Sequence, residues 1–167
     1  DRSRGLGDVY KRQMLTFLFG YKDEIEEESS KDIVLSTPAA GEIIDLSEVN
    51  DPTFASGSLG EGFAIIPTDG KIYSPVNGEV STVFPTKHAI GVVSEEGAEI
   101  LIHIGIDTVN LNGKYFQSAV SDGKKVRKGD LLMEVDLQEL IKEGYDPTTM
   151  VIVTNSSRFK NIITSHK

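Results

Sequence analysis

The chain has 167 residues, 26% of them charged, and a net charge of −9 at pH 7. That length suits one domain with a proper core, and an acidic surface without a basic stripe speaks against a nucleic-acid partner. There is no cysteine, which removes disulfides, cysteine-ligated zinc and thiol nucleophiles.

Asp1 to Gln13 carries four basic and two acidic residues, unlike the acidic remainder, and Met14 follows as a natural start. We read residues 1–13 as a tag, a vector scar or a mis-called start, the other reading being a genuine basic arm. Residues 14–32 then form an N-terminal arm and linker. Within it, Met14-Leu-Thr-Phe-Leu-Phe19 is apolar but too short for a signal-peptide core, and no run in the chain approaches the ~18 apolar residues of a transmembrane helix. This stub is expected to pack on the domain rather than to touch a membrane surface. Lys22 to Lys31 is charged and reads as a solvated linker.

From Ile33 the chain reads as short strands rich in Val and Ile, punctuated by Gly, Pro, Asn and Asp. The predicted strands are Ile33–Leu35, Gly41–Leu46, Gly62–Pro67, Lys71–Tyr73, Gly78–Phe84, His88–Ser94, Glu99–Ile104, Val126–Lys128, Leu131–Val135 and Met150–Val153. One short helix is expected from Leu137, stopped by Gly144. Many short strands with frequent turns predict an all-β fold, an antiparallel sandwich or barrel with at most short helices. Thr37-Pro-Ala-Ala-Gly-Glu-Ile43 is echoed by Ser74-Pro-Val-Asn-Gly-Glu-Val80, which suggests a duplicated β motif.

Two of the three histidines stand on neighbouring predicted strands, His88 in Phe84-Pro-Thr-Lys-His88 and His103 in Glu99-Ile-Leu-Ile-His103. If the loop around Glu95-Glu96 holds an even number of residues, His88 lies directly opposite His103, and such pairs have Cβ atoms roughly 4.5–5.5 Å apart. A three-residue loop with a bulge at Gly97 would slip the register by one and send one ring to the other face. Alternation puts Glu99, Leu101 and His103 on one face, and it groups His88 with Ile90 and Val92. Aliphatic surroundings disfavour the charged imidazole and leave a neutral nitrogen as nucleophile. The pair is therefore a candidate for proton or phosphoryl chemistry.

Thr86, two residues before His88, could hold its tautomer. Asp107, four after His103, could orient an imidazole or simply cap a turn. His88, His103 and Asp107 could also make a three-ligand zinc site, so a zinc-dependent hydrolase is an alternative. No Gly-x-Ser-x-Gly supports a serine triad, and no lysine has the context of a biotinyl or lipoyl carrier. His166, beside the C-terminus, is given no role.

The run Glu99-Ile-Leu-Ile-His-Ile-Gly-Ile-Asp-Thr-Val-Asn-Leu-Asn-Gly113 resembles the phosphohistidine motif of glucose-type enzyme IIA proteins of the bacterial phosphoenolpyruvate-dependent sugar phosphotransferase system. Pro38-Ala-Ala-Gly-Glu-Ile43, Asp51-Pro-Thr-Phe54, Gly60-Glu-Gly-Phe-Ala-Ile65, Ser74-Pro-Val-Asn-Gly-Glu-Val80, Phe84-x-Thr-x-His88 and Val126-x-x-Gly-Asp130 resemble other pieces of that family, in the same order. The resemblance covers about Ile33 to Asn155 and marks residues 33–167 as the enzyme IIA domain. It implies a β-sandwich called a duplicated hybrid motif.

It further implies that His103 carries the phosphoryl group, that His88 helps hold it, and that Thr86 hydrogen-bonds His88. Asp107 and Val109 would line the site, with Phe54, Leu59, Phe84 and Leu101 as an apolar, partner-binding rim. Leu101 and Ile104 replace aromatics common in enteric members, and Thr53 replaces an aliphatic residue. The donor would be the histidine-carrier protein HPr and the acceptor a cysteine of an enzyme IIB domain of a sugar permease. No cofactor or metal would be required, although the two histidines could bind zinc at an interface. The protein would be cytoplasmic, peripheral to the membrane only through the permease. Regulatory targets are known for some relatives, and a non-catalytic regulatory relative is the other alternative. Met14 as a start favours a stand-alone protein.

Overall fold

The computed structural model describes residues 13–15, 17–19 and 31–165. The proposed tag or arm up to residue 12, the linker up to residue 30 and His166 lie outside the described residues. Residues 13–15 and 17–19 are helical. Twelve strands follow: β1 (Asp32–Ser36), β2 (Gly41–Asp45), β3 (Glu61–Pro67), β4 (Lys71–Tyr73), β5 (Gly78–Val83), β6 (Ala89–Ser94), β7 (Glu99–Ile104), β8 (Phe116–Ser118), β9 (Lys125–Val126), β10 (Leu131–Val135), β11 (Thr149–Val153) and β12 (Asn161–Ser165). Between them lie two short helices, α1 (Pro52–Ala55) and α2 (Leu137–Lys142), and 3-10 turns at Leu46–Glu48, Thr108–Leu111 and Ser156–Arg158.

Seven strands form one sheet in the order β2-β3-β11-β7-β6-β5-β9, and β4-β10-β8 form a second. Every pairing within these two sheets is antiparallel. The fold is thus the expected antiparallel sandwich, with one exception. β1 and β12 pair in parallel, Asp32 beside Asn161 and Ser36 beside Ser165. Nearly the whole domain is the crossover between them. No local pattern marks such a pair, and the sequence reading missed β12, along with β8 and α1.

Side-chain alternation explains the layering. Ile90, Val92, Ile100, Ile102, Ile104, Val151 and Val153 point inward from β6, β7 and β11. They share one buried cluster with Ile33 and Leu35 of β1, Ile72 of β4, and Leu132 and Met133 of β10. Each such side chain contributes roughly 1.5–3 kcal/mol when fully buried. The opposite residues of the same strands, Ala89, Leu101, Met150 and Ile152, face outward into a second buried cluster. His103 lies on this outer face, directly between Ala89 of β6 and Met150 of β11.

The repeated Pro-x-x-Gly-Glu motif has a common purpose. Gly41 and Gly78 open β2 and β5, where each crosses a neighbouring carbonyl. A Cβ at Gly41 would lie 2.0 Å from the Ile66 oxygen, and one at Gly78 would lie 2.0 Å from the Val93 oxygen. Only glycine lets the two backbones approach this closely.

Candidate active site

The site is built where β6 and β7 meet α1. The hairpin between the two strands closes with Ser94 N donating to the Ala98 carbonyl at 2.9 Å, while Gly97 N donates to Ser94 O at 3.0 Å. Gly97 has a φ of 91°. This is the three-residue loop with a left-handed glycine, so Ala89, not His88, stands opposite His103. The expected direct opposition of the histidines is corrected by one residue.

The rings nevertheless meet. β6 begins only at Ala89, so His88 is not bound by strand alternation. Phe84 N donates to Ala89 O at 2.9 Å and Lys87 N to Phe84 O at 2.8 Å, closing a tight loop. Lys87 within it adopts a left-handed φ of 62°. The reversal turns His88 out of the pattern that sends Ile90 and Val92 into the inner core. The His88 carbonyl accepts from Ile104 N at 2.7 Å, which anchors its backbone beside the end of β7. Its ring then lies edge-on to His103, centroids 4.9 Å apart and planes at 82°.

His103 Nδ1 is 2.9 Å from the Gly105 carbonyl oxygen. A carbonyl can only accept, so Nδ1 carries the proton. In the neutral ring the lone pair is therefore on Nε2, which is the nitrogen able to attack an electrophile. Gly105 is shaped for this bond. It has a φ of 80°, and a Cβ there would lie 2.5 Å from Thr108 Cγ2. Its own N–H donates to Thr148 O at 3.1 Å, and the next, Ile106 N, donates to Asp146 O at 2.9 Å. Thr108 Oγ1 donates to Ile104 O at 2.5 Å, which stiffens the same turn.

Thr86 Oγ1 is 2.7 Å from His88 Nδ1. Burial drives the His88 pKa down from the ordinary 6.5 to about 4, so this ring is neutral at physiological pH. The Phe54 ring is 4.8 Å from His103 and the Phe84 ring 5.2 Å from His88. Phe54, Leu59 and Leu101 are buried, Phe84 and Val109 half-buried. The first four belong to or pack against the outer cluster.

Phe54 is delivered by α1. Asp51 caps it by accepting from Thr53 N at 3.0 Å, and Pro52 occupies its first turn. Asp107 is different. It is exposed, makes no capping bond with its side chain, and has a left-handed φ of 62°. Among the described residues no three of His, Cys, Asp and Glu come together to hold a metal ion. The hydrolase alternative through His88, His103 and Asp107 therefore lacks its ligand set.

Residues outside the sequence-based site also close it. Met14 and Leu18 of the N-terminal helical segment are buried in the outer cluster, and the Phe17 ring meets Phe84 at 5.1 Å. The stub does pack on the domain, but it packs over the site.

Residues 33–159 match the family described as phosphoenolpyruvate-dependent sugar phosphotransferase system, EIIA 1. The glucose-specific EIIA component of Oceanobacillus iheyensis is 46% identical over 139 residues, covering 83% of this chain and 84% of that one. The beta-glucoside-specific EIIBCA component of Halalkalibacterium halodurans is 49% identical over 133 residues, 80% of this chain and 21% of the relative. Against such multidomain relatives the chain spans about a fifth to a quarter of their length. The solved glucose permease IIA from Mycoplasma capricolum has a TM-score of 0.67 and 42% identity, over 71% of this chain and 78% of that one. No described helix is long and apolar enough to cross a membrane. With the sandwich, the paired histidines and these matches together, the chain belongs to the EIIA 1 family of the phosphoenolpyruvate-dependent sugar phosphotransferase system.

Proposed function

We propose that this domain is a phosphocarrier that takes a phosphoryl group onto Nε2 of His103 from the phosphohistidine of HPr and passes it to a cysteine of an enzyme IIB domain. The observation that carries this reading is the bond between His103 Nδ1 and the Gly105 carbonyl, beside a second buried imidazole. The bond assigns the proton to one nitrogen and the nucleophilic lone pair to the other.

In the first transfer, the Nε2 lone pair attacks phosphorus in line. The N–P bond of the donor imidazole breaks, and its electron pair returns to the donor nitrogen. The phosphorylated ring keeps its proton on Nδ1, which donates to Gly105 O. In the second transfer a thiolate attacks and the N–P electrons return to Nε2. Catalysis here consists of positioning and charge stabilisation.

For His88 to stabilise the group it must donate from Nε2–H to a phosphoryl oxygen. The Thr86 hydroxyl then donates to its Nδ1, which the 2.7 Å contact supports. A neutral His88 can keep that tautomer. Phe54, Leu59, Phe84 and Leu101 supply apolar surroundings that exclude water from the labile N–P bond. Asp107 and Val109 stand on the turn that follows His103 and would meet the partner. The chemistry calls for no cofactor. On this reading the domain works in the cytoplasm, where it meets HPr and the IIB domain of a permease. The EIIBCA architecture of relatives supports a IIB-type acceptor.

The test is phosphoryl transfer from phosphoenolpyruvate through enzyme I and HPr, read by mass spectrometry under conditions that preserve acid-labile groups. One phosphoryl per chain is expected. His103→Ala abolishes it, and His88→Gln accepts it but passes it on slowly. A folded wild-type protein that takes up none would overturn the proposal.

A further inference from the structure

Both histidines are shielded from solvent in this molecule, His88 at 0% and His103 at 2% exposure. Part of that shield is the N-terminal helical segment. Met14 and Leu18 are both buried, 1% and 3% exposed. They pack in the cluster that contains Phe54 and Leu101. Phe17 lies against Phe84, which lies against His88. Phe19 is seated on β6: a Cβ at Gly91 would come within 3.1 Å of two of its ring carbons. Gly91 has no positive φ, so its missing side chain matters here for space, not backbone freedom.

We propose that this segment is a displaceable cover, and that a protein docking to the histidine pair must take the place of Met14, Phe17 and Leu18 on the same apolar face. The identity of the competitor rests on the phosphocarrier reading, whereas the cover itself rests on packing alone. A macromolecular donor cannot present a phosphoryl group to a nitrogen that solvent cannot reach, so transfer needs an opening. Moving this segment opens the site without breaking any of the three sheets.

The balance of forces suits displacement. Closure buries two large side chains, but it also fixes the backbone that carries them. One polar atom on this face is also left unsatisfied. Ser81 Oγ, 2.6 Å from the position of a Gly91 Cβ, is buried without a hydrogen-bond partner among the described residues, an arrangement that costs free energy. A partner that offers apolar side chains of similar size replaces the gain of closure and keeps its own binding energy. Partner affinity is thereby set against the cover, and a fraction of it is spent on opening.

The experiment uses the full chain and two variants, Leu18→Asn and Gly91→Ala. The first weakens the cover from its own side, and the second crowds Ser81 Oγ at 2.6 Å and the Phe19 ring at 3.1 Å from the sheet side. Diethyl pyrocarbonate, which acylates unprotonated imidazole nitrogen, measures access to His88 and His103 peptide by peptide, with no partner present. The initial rate of phosphoryl transfer at limiting phosphorylated HPr measures competition. Both rates are expected to rise by about tenfold in Leu18→Asn, the scale of one buried leucine in a two-state opening. Gly91→Ala should move both in the same direction, with final labelling still one phosphoryl per chain. Acylation at the wild-type rate in both variants overturns the cover. Faster acylation with unchanged or slower transfer overturns the competition. Faster acylation with labelled HPr but no phosphoryl label on the wild type or either variant supports the cover and overturns the phosphocarrier reading.

Discussion

The rings of His88 and His103 are 4.9 Å apart, although the residue opposite His103 across the ladder is Ala89. Strand pairing alone would give a different site. The contact depends on Lys87, held at a φ of 62°, which lets His88 leave the alternation one residue before β6 begins. A left-handed non-glycine residue costs of order 1–3 kcal/mol and persists only where its surroundings hold it.

Lys87 is therefore a place to test the cost of the site. Lys87→Gly removes the steric penalty but loosens the unfolded chain, so stability should stay level or rise by up to ~1 kcal/mol. Lys87→Val, β-branched and ill suited to this conformation, should lose about 1–2 kcal/mol. Denaturant titrations of both compare the signs directly. Equal loss in the two variants would mean that the Lys87 side chain, not its backbone, stabilises the loop.

His88 gives the protein a pH dependence. The folded pKa is about 4, below the ordinary 6.5, so the unfolded chain binds more protons between these values. Stability then rises with pH across that window. The contribution is fully present above 6.5 and is lost as pH falls toward 4, roughly 3 kcal/mol in all. Because carboxylates titrate in the lower part of this range, the informative quantity is the difference between wild type and His88→Gln. That difference should change with pH from about 7 to 4, and a pH-independent difference would sink the assignment.

Thr86→Val keeps the side-chain shape and removes the hydroxyl beside His88 Nδ1. Losing one hydrogen bond that is stronger in the transferring state corresponds to about 1–2 kcal/mol, or roughly 5- to 30-fold in rate. The expected signature is slower phosphoryl transfer with the thermal midpoint nearly unchanged, and recovery in Thr86→Ser. A rate within twofold of wild type would leave His88 oriented by packing alone.

Gly105→Ala attacks the carbonyl that sets the His103 tautomer. The new Cβ meets Thr108 Cγ2 at 2.5 Å and Asp146 O at 3.2 Å, at a φ of 80°. A loss of about 2 kcal/mol or more is expected. Nitrogen NMR of the imidazole is the sharper readout. The wild type should show a protonated Nδ1 on His103, and the variant a mixture of tautomers. A variant still wholly in the Nδ1–H form would show that the ring is held without this bond.

Much of the fold was legible because it rests on local patterns. Aliphatic residues in Glu99–Ile104 and Met150–Val153 marked two central strands, and Gly144 marked the stop after α2. The Pro-x-x-Gly-Glu echo pointed to two glycines that each cross a neighbouring strand. α1 could have been read from Asp51-Pro52, a cap followed by the residue suited to a first turn. β12 had no such signal, because its partner β1 is the whole domain away.

By itself the sequence determined the chemistry on offer: two histidines flanked by a threonine and apolar residues, no cysteine, and the strands that carry them. Side-chain type and period-two alternation are local properties, so they can be read along the chain. The tertiary structure alone decided which nitrogen of His103 carries the proton, because that depends on where the Gly105 carbonyl points. It also decided that the rings meet despite a slipped register and that Met14 and Leu18 close over them. Those outcomes follow from one left-handed backbone torsion and from contacts between segments some 70 to 90 residues apart, where the chain between leaves no local trace.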